Sequence, residues 1–200
     1  MRIAIFASGN GTNFEVLAKA FQSHEFGENA KLELLFCDHP NAPVIKRAEK
    51  YGVYTATFTL KSCGNKEEYE KKILQILKSR KIDLVVLAGY MRVISPVILN
   101  NFDGKIINLH PAYLPEFTGL HAIERAFQDH VENGRTQTGV TIHYIDEGLD
   151  TGPIIKQEHV PIYKDDDVDT LEARIHQTEH KLYPEVLKKI LEEENEKSNN

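Results

Sequence analysis

Short apolar runs along this chain alternate with longer segments whose apolar positions recur every three or four residues. Residues 3–7, 32–37, 53–58 and 83–88 read as strands. The stretch Leu84-Val85-Val86-Leu87 is apolar without a break, the pattern of a strand covered on both faces and hence of a parallel sheet. Between these strands lie helical patterns. Phe14, Val16, Leu17, Ala20 and Phe21 share one face, 42–51 forms a second helix with Pro43 in its first turn, and 68–79 turns Tyr69, Ile73, Ile76 and Leu77 inward. Residues 62–65 read as a loop, and Ser95-Pro96 starts a short helix that ends near Asn101.

The second half is less regular. Ile106, Ile107 and Leu109 mark a buried strand that Pro111 ends. An irregular loop at 111–121 leads to a helix at 122–132, stopped by Asn133-Gly134. Residues 138–145 set Val140, Ile142 and Tyr144 against Thr141 and His143, the alternation of a half-exposed strand at a sheet edge. A second irregular loop fills 146–153, and 154–162 is a further strand. Leu171, Ile175, Leu182, Val186 and Ile190 define a last helix, capped by Asp169 or Thr170 and kinked or divided at Pro184. Strands alternating with helices predict an α/β fold, a doubly wound and mostly parallel sheet with helices on both faces, in one domain over 1–191. Residues 192–200 read as a polar, disordered tail.

Composition narrows the partners. With a net charge of −6 the chain lacks the basic footprint of a nucleic-acid binder. No apolar run reaches membrane length, so neither nucleic acid nor membrane is an expected partner. Cys37 and Cys63 are isolated in sequence, as expected for free thiols in a reducing, cytoplasmic setting. Asp165-Asp166-Asp167 lacks the alternating ligand spacing of a calcium loop and reads as an exposed turn before a helix.

Two stretches carry candidate chemistry. Ser8-Gly9-Asn10-Gly11-Thr12-Asn13 lies between a strand and a helix, where successive backbone N–H groups and the helix dipole cradle an anion. Phe14 stands where a dinucleotide fingerprint would have its third glycine, so a small phosphate monoester fits better than a nicotinamide cofactor. A tight turn that binds nothing is the alternative. The second stretch is the strand 106–110. Side chains alternate faces, so Asn108 and His110 point the same way at a strand end. Asp150, in a glycine-flanked loop, is a candidate partner that would orient His110 and keep it charged. No serine or cysteine occupies a nucleophile elbow, and His110, His121 and His143 lack zinc-motif spacing. Met91, Val93 and Ile94 are either plain core or the lining for a flat heteroaromatic ligand. Residues alone thus suggest direct transfer between two bound substrates, one of them phosphorylated.

The motifs also carry a resemblance. Asn108-Leu109-His110-Pro111 with Leu114-Pro115, and Gly139-Val140-Thr141-Ile142-His143-Tyr144 running on to Asp150-Thr151-Gly152-Pro153, resemble the two signatures of the folate-dependent formyltransferases. The glycine loop and Gly119-Leu120-His121 are similar to the branch that acts on glycinamide ribonucleotide in purine synthesis, and Ala88-Gly89-Tyr90-Met91-Arg92 resembles its folate-pocket segment. The resemblance implies transfer of formyl from 10-formyltetrahydrofolate, as co-substrate, to the glycinamide amine, with no metal and no covalent enzyme intermediate. It implies Asn108, His110 and Asp150 as catalytic residues. It implies Gly11, Thr12 and Asn13 at the substrate phosphate with Lys66 near it, and Glu179 at the ribose. Met91, Arg92, Val93, Ile94 and Asn108 would then meet the folate. His176 stands where the branch usually has Lys or Gln, and Glu116 replaces a commonly basic residue. The sequence leaves monomer and homodimer both open.

Overall fold

In the computed structural model, which describes residues 1–198, seven strands form one sheet. They are β1 (Arg2–Ala7), β2 (Lys31–Cys37), β3 (Thr55–Thr57), β4 (Leu84–Leu87), β5 (Ile106–His110), β6 (Gln137–Tyr144) and β7 (Ile154–Pro161). The helices are α1 (Thr12–Gln22), α2 (Pro43–Lys50), α3 (Leu60–Cys63), α4 (Lys66–Ser79), α5 (Pro96–Leu99), α6 (Ala122–Asn133) and α7 (Val168–Ser198). The strand order is β3-β2-β1-β4-β5-β6-β7. The pairs from β3 across to β5 are parallel, and β6 runs antiparallel to both its neighbours. The mostly parallel, doubly wound sheet is thus present, with β6 alone reversed.

Two apolar clusters cover the two faces. One face packs Ile3, Ile5, Val86 and Ile107 with Phe14 and Leu17 of α1 and Leu182, Tyr183 and Val186 of α7. The other packs Phe6, Phe36 and Val85 with Tyr69, Ile73 and Leu77 of α4 and Ile98 of α5. The strand order reverses direction between β1 and β4, which opens a crevice at their carboxyl ends. The glycine loop after β1 and the segment after β4 flank it, joined by Ser8 N–H to Gly89 C=O at 3.0 Å.

Several local expectations change. β6 is not at the edge, because β7 pairs along most of its length and takes the edge position. Its polar residues Thr141 and His143 are buried rather than exposed, because the loops 111–121 and 146–153 cover their face. Residues 60–63 form a short helix whose cap is Thr59, accepting from Ser62 N–H; an isolated four-residue pattern carries too little periodicity to announce it. The cap of α7 is Asp167: its carboxylate accepts from Thr170 N–H at 2.8 Å, and Thr170 Oγ1 accepts from Asp167 N–H at 2.9 Å. Asp166 pairs with Arg174 instead. Pro184 lies inside α7 without dividing it, on a stretch fastened by the core residues Leu182, Tyr183, Val186 and Leu187. The polar segment expected as a tail from Glu192 continues α7 to Ser198, with lysine–glutamate pairs at Lys188–Glu192 and Lys189–Glu193; the tail's residues 199–200 lie outside the described residues. Among the described residues, no helix is long and apolar enough to cross a membrane.

Candidate active site

The site is assembled on β5 and β6. In their antiparallel pairing Asn108 lies opposite His143, and His110 opposite Thr141. Directly opposed residues share a face, so Asn108, His110 and His143 stand together on one side of the sheet. The loop after β6 folds back over that face and brings in Asp150, whose backbone is left-handed at φ 55. Gly152 permits the fold-back, because a Cβ there would collide with the Tyr144 carbonyl.

Asp150 reaches His110. Its Oδ2 lies 3.5 Å from His110 Nδ1 and accepts from Gly119 N–H at 2.7 Å, while its Oδ1 lies 3.7 Å from His143 Nε2. His110 Nε2 is 2.8 Å from Phe117 C=O. Since a carbonyl only accepts, this nitrogen carries a proton. The loop 111–121 is therefore fastened to both catalytic candidates, at Phe117 and at Gly119.

His143 is the residue that periodicity misplaced. It is fully buried. Its Nδ1 donates to Tyr144 C=O at 2.9 Å, and its Nε2 lies 3.2 Å from Asn108 Nδ2. Burial pushes its pKa below the ordinary value, which favours the neutral ring. A neutral ring that donates through Nδ1 offers a lone pair at Nε2, so the Asn108 amide presents its NH2 to His143. Only the β5–β6 register, invisible in one sequence, would have placed His143 here.

The glycine loop forms the other end. Gly11 takes φ 77 as the residue before α1, and a Cβ on it would strike the Val44 side chain. The first α1 hydrogen bond runs from Glu15 N–H to Gly11 C=O at 2.9 Å, which leaves the first-turn N–H groups at Thr12 and Asn13 aimed along the positive helix end. Asn13 Nδ2 donates to Glu179 Oε2 at 2.8 Å. The same oxygen meets His176 Nδ1 at 2.7 Å, so Glu179, buried to 3% exposure, joins α1 to α7 behind the loop. Asn13 Oδ1 is buried and makes no hydrogen bond.

Between the two ends lies the segment after β4. Met91 and Val93 are exposed at 62% and 57%, so they are surface apolar groups, whereas Ile94 is core. Met91 N–H donates to Ser8 Oγ at 3.0 Å, which ties the segment to the glycine loop. Arg92 Nε donates to Asp38 Oδ2 at 2.7 Å. Burial opposes ionisation of Asp38, but hydrogen bonds from Ser8, His39 and Arg92 outweigh it and hold the carboxyl below its ordinary range. Lys66 lines a cavity of about 240 Å³ with Tyr69, Met91, Arg92 and Val93. Lys66 thus lies beside the folate candidates Met91, Arg92 and Val93. Among the described residues, no group of three or more His, Cys, Asp or Glu is arranged to hold a metal ion.

A doubly wound sheet, with an anion cradle at its switch point and an imidazole–carboxylate pair at the adjacent strand end, defines a group-transfer enzyme of the α/β class. The chain belongs to the formyl transferase family, whose profile matches residues 1–187. Over 190 residues it is 44% identical to the phosphoribosylglycinamide formyltransferase of Bacillus subtilis (strain 168), covering 95% of this chain and 94% of that protein. The phosphoribosylglycinamide formyltransferase structure from Bacillus halodurans superposes with a TM-score of 0.90 at 44% identity, covering 96% of this chain and 95% of that one. The glycinamide ribonucleotide transformylase 1 structure from Geobacillus kaustophilus gives a TM-score of 0.89 at 47% identity, with coverage of 95% and 98%.

Proposed function

We propose that this chain transfers the formyl group of 10-formyltetrahydrofolate to the amine of glycinamide ribonucleotide in purine synthesis. The observation that carries the reading is the contact of His110 with Asp150 on the face that also bears Asn108. The glycinamide amine attacks the formyl carbon and forms a C–N bond. The carbonyl oxygen becomes an oxyanion, stabilised by the Nε2–H of His110 and an Asn108 N–H. Asp150 orients the His110 ring from the Nδ1 side and relays the proton that the amine loses to the folate nitrogen that leaves. The bond from carbon to that nitrogen then breaks, releasing tetrahydrofolate and the formylated amide. No covalent enzyme intermediate and no metal take part.

Gly11, Thr12 and Asn13 hold the substrate phosphate, and Glu179 meets the ribose. Met91, Arg92 and Val93, with Asn108, hold the folate, and Ile94 supports them from the core below. The cavity shared by Lys66 and Arg92 favours Lys66 on the folate side, where its ammonium faces the carboxylate tail. These small-molecule substrates, with two unpaired cysteines, suit a cytoplasmic enzyme. Incubation with 10-formyltetrahydrofolate, with and without glycinamide ribonucleotide, tests the reading. Equimolar tetrahydrofolate and formylated ribonucleotide are expected only with both substrates present. Folate hydrolysis without the ribonucleotide, or no turnover, overturns it.

A further inference from the structure

One guanidinium fastens the loop that carries Phe117. Arg125 of α6 sends Nη2 to Phe117 C=O at 2.9 Å and to Thr118 C=O at 2.6 Å, and its Nε to His121 C=O at 3.3 Å. Phe117 and His121 are both left-handed, at φ 50 and 58. Such conformations are sparsely populated and persist where the surroundings over-determine them. Arg125 supplies that constraint by gathering three carbonyls of one loop. The Phe117 ring lies between two guanidinium groups, 5.8 Å from Arg125 and 4.8 Å from Arg135, and Arg135 itself is held by Glu116 and Asp129.

The Phe117 carbonyl is the junction. It accepts from Arg125 on one side and from His110 Nε2, at 2.8 Å, on the other. A carbonyl oxygen has two lone pairs, so the guanidinium takes one and leaves one for the imidazole. The charged and titratable groups around His110 come from three elements. Asp150 faces Nδ1 from the loop after β6, His143 stands beside it on β6, and Arg125 acts from α6 through the carbonyl.

We propose that Arg125 is a positioning residue for His110: by fixing the Phe117 carbonyl, it holds the imidazole as the tautomer whose Nε2 bears the proton. A neutral His110 has two choices. It can carry the proton on Nδ1, toward Asp150, or on Nε2, toward Phe117. Only the second leaves a donor at Nε2 for a developing oxyanion. A Phe117 carbonyl freed from Arg125 no longer enforces that choice. Arg125 touches no reacting atom; it acts through a main-chain oxygen. The inference rests on the reading of His110 as the oxyanion donor.

The test compares Arg125→Met, Arg125→Lys and Arg135→Met with the parent chain. Two readouts are needed: the ring 15N shifts of His110 in substrate-free protein at a pH where the ring is neutral, and kcat with KM for both substrates. The parent is expected to show the Nε2–H tautomer. Arg125→Met should give a mixture of tautomers and a kcat about tenfold lower, with each KM within about twofold. Arg125→Lys keeps one donor for Phe117 and should recover the Nε2–H tautomer and most of kcat. Arg135→Met loosens the Phe117 ring but not its carbonyl and should leave both readouts unchanged. An unaltered tautomer and kcat in Arg125→Met, or equal losses in Arg135→Met, would overturn the proposal. If Arg125→Met fails to fold, Arg125→Leu takes its place: the same mixture of tautomers is expected, and an unaltered Nε2–H tautomer overturns the proposal. A parent chain that transfers no formyl group defeats the functional reading only, because the tautomer readout needs no turnover.

Discussion

Asn108 Nδ2 lies 3.2 Å from His143 Nε2 across the β5–β6 pair, and the other ring nitrogen of His143 is committed to the Tyr144 carbonyl. That commitment sets the direction of the Asn108 amide. Because the ring is neutral and Nδ1 already donates, Nε2 can only accept, and Asn108 must turn its NH2 group that way. A buried histidine thus decides which end of the Asn108 carboxamide faces which neighbour.

Replacing His143 with Leu removes the acceptor and strands two polar groups. Unfolding in urea is expected to show a loss of about 2 kcal/mol. Turnover should fall about tenfold through disorientation of Asn108. The pH dependence has a definite sign. Burial lowers the His143 pKa in the native state, so the unfolded chain binds the proton first as pH falls. Its stabilisation is complete above about 6.5, the unfolded value, and is lost as pH falls toward the lower native pKa. The stability gap between parent and variant should therefore narrow from pH 7 to pH 5. A gap that stays constant counts against a neutral buried ring.

The His110–Asp150 contact makes a sharper kinetic claim. His110→Ala removes one oxyanion donor and should raise the barrier by about 3 kcal/mol, about a hundredfold in kcat. Asp150→Asn keeps the shape but removes the carboxylate charge beside the His110 ring and the acceptor for the relayed proton. It is expected to lower kcat while KM for the ribonucleotide holds. Near-normal turnover in His110→Ala would remove it from the chemistry.

Gly11 gives a prediction about the anion cradle. Ala at this position must adopt a left-handed backbone and push against Val44. The strain is expected to cost about 2 kcal/mol of stability. It should also raise KM for the ribonucleotide more than KM for the folate if the displaced N–H groups serve the phosphate as proposed. Adding Val44→Ala should recover part of both losses. Steady-state kinetics with each substrate varied in turn separates the two effects.

How much of this was legible in the sequence depends on what each residue answers to. The strand 106–110 announced Asn108 and His110 as neighbours because side-chain alternation is a local property. The glycine loop was equally local. Asp150 was nameable from its glycine-flanked loop and from a resemblance, but its contact with His110 depends on how that loop folds back. His143 was misread because alternation reports amphipathy, and β6 loses its exposed face only when the loops 111–121 and 146–153 fold over it. Lys66 was nameable only from the resemblance, and its neighbours Tyr69, Met91 and Arg92 follow from the packing of α4 beside the segment after β4. The Phe117 carbonyl had no side-chain signature at all. Local periodicity thus carried the elements and half the site, and long-range register carried the other half.

The His176–Glu179 pair gives the last prediction, because it sits directly behind the glycine loop. His176 Nδ1 lies 2.7 Å from Glu179 Oε2 and its Nε2 3.4 Å from Glu172 Oε1. His180 stacks beside it at 6.2 Å between ring centroids, and Asn13 shares the Glu179 oxygen from the α1 side. The hydrogen bond to Glu179 raises the His176 pKa against the opposing effect of burial, and Glu172 adds to the rise. A raised native pKa means that the folded chain holds the proton more tightly than the unfolded one. The stabilisation is complete below about 6.5, the unfolded value, and is lost as pH rises through the native pKa. His176→Gln should therefore cost more stability at pH 5.5 than at pH 8.5, the opposite trend to His143→Leu. The same proton places a positive charge behind the phosphate cradle, so KM for the ribonucleotide should climb with pH in the parent and stay flatter in the variant. Urea unfolding at the two pH values, paired with KM measured across the same range, checks both halves. A His176→Gln variant whose stability cost grows with pH would show that the ring is not held charged by Glu179.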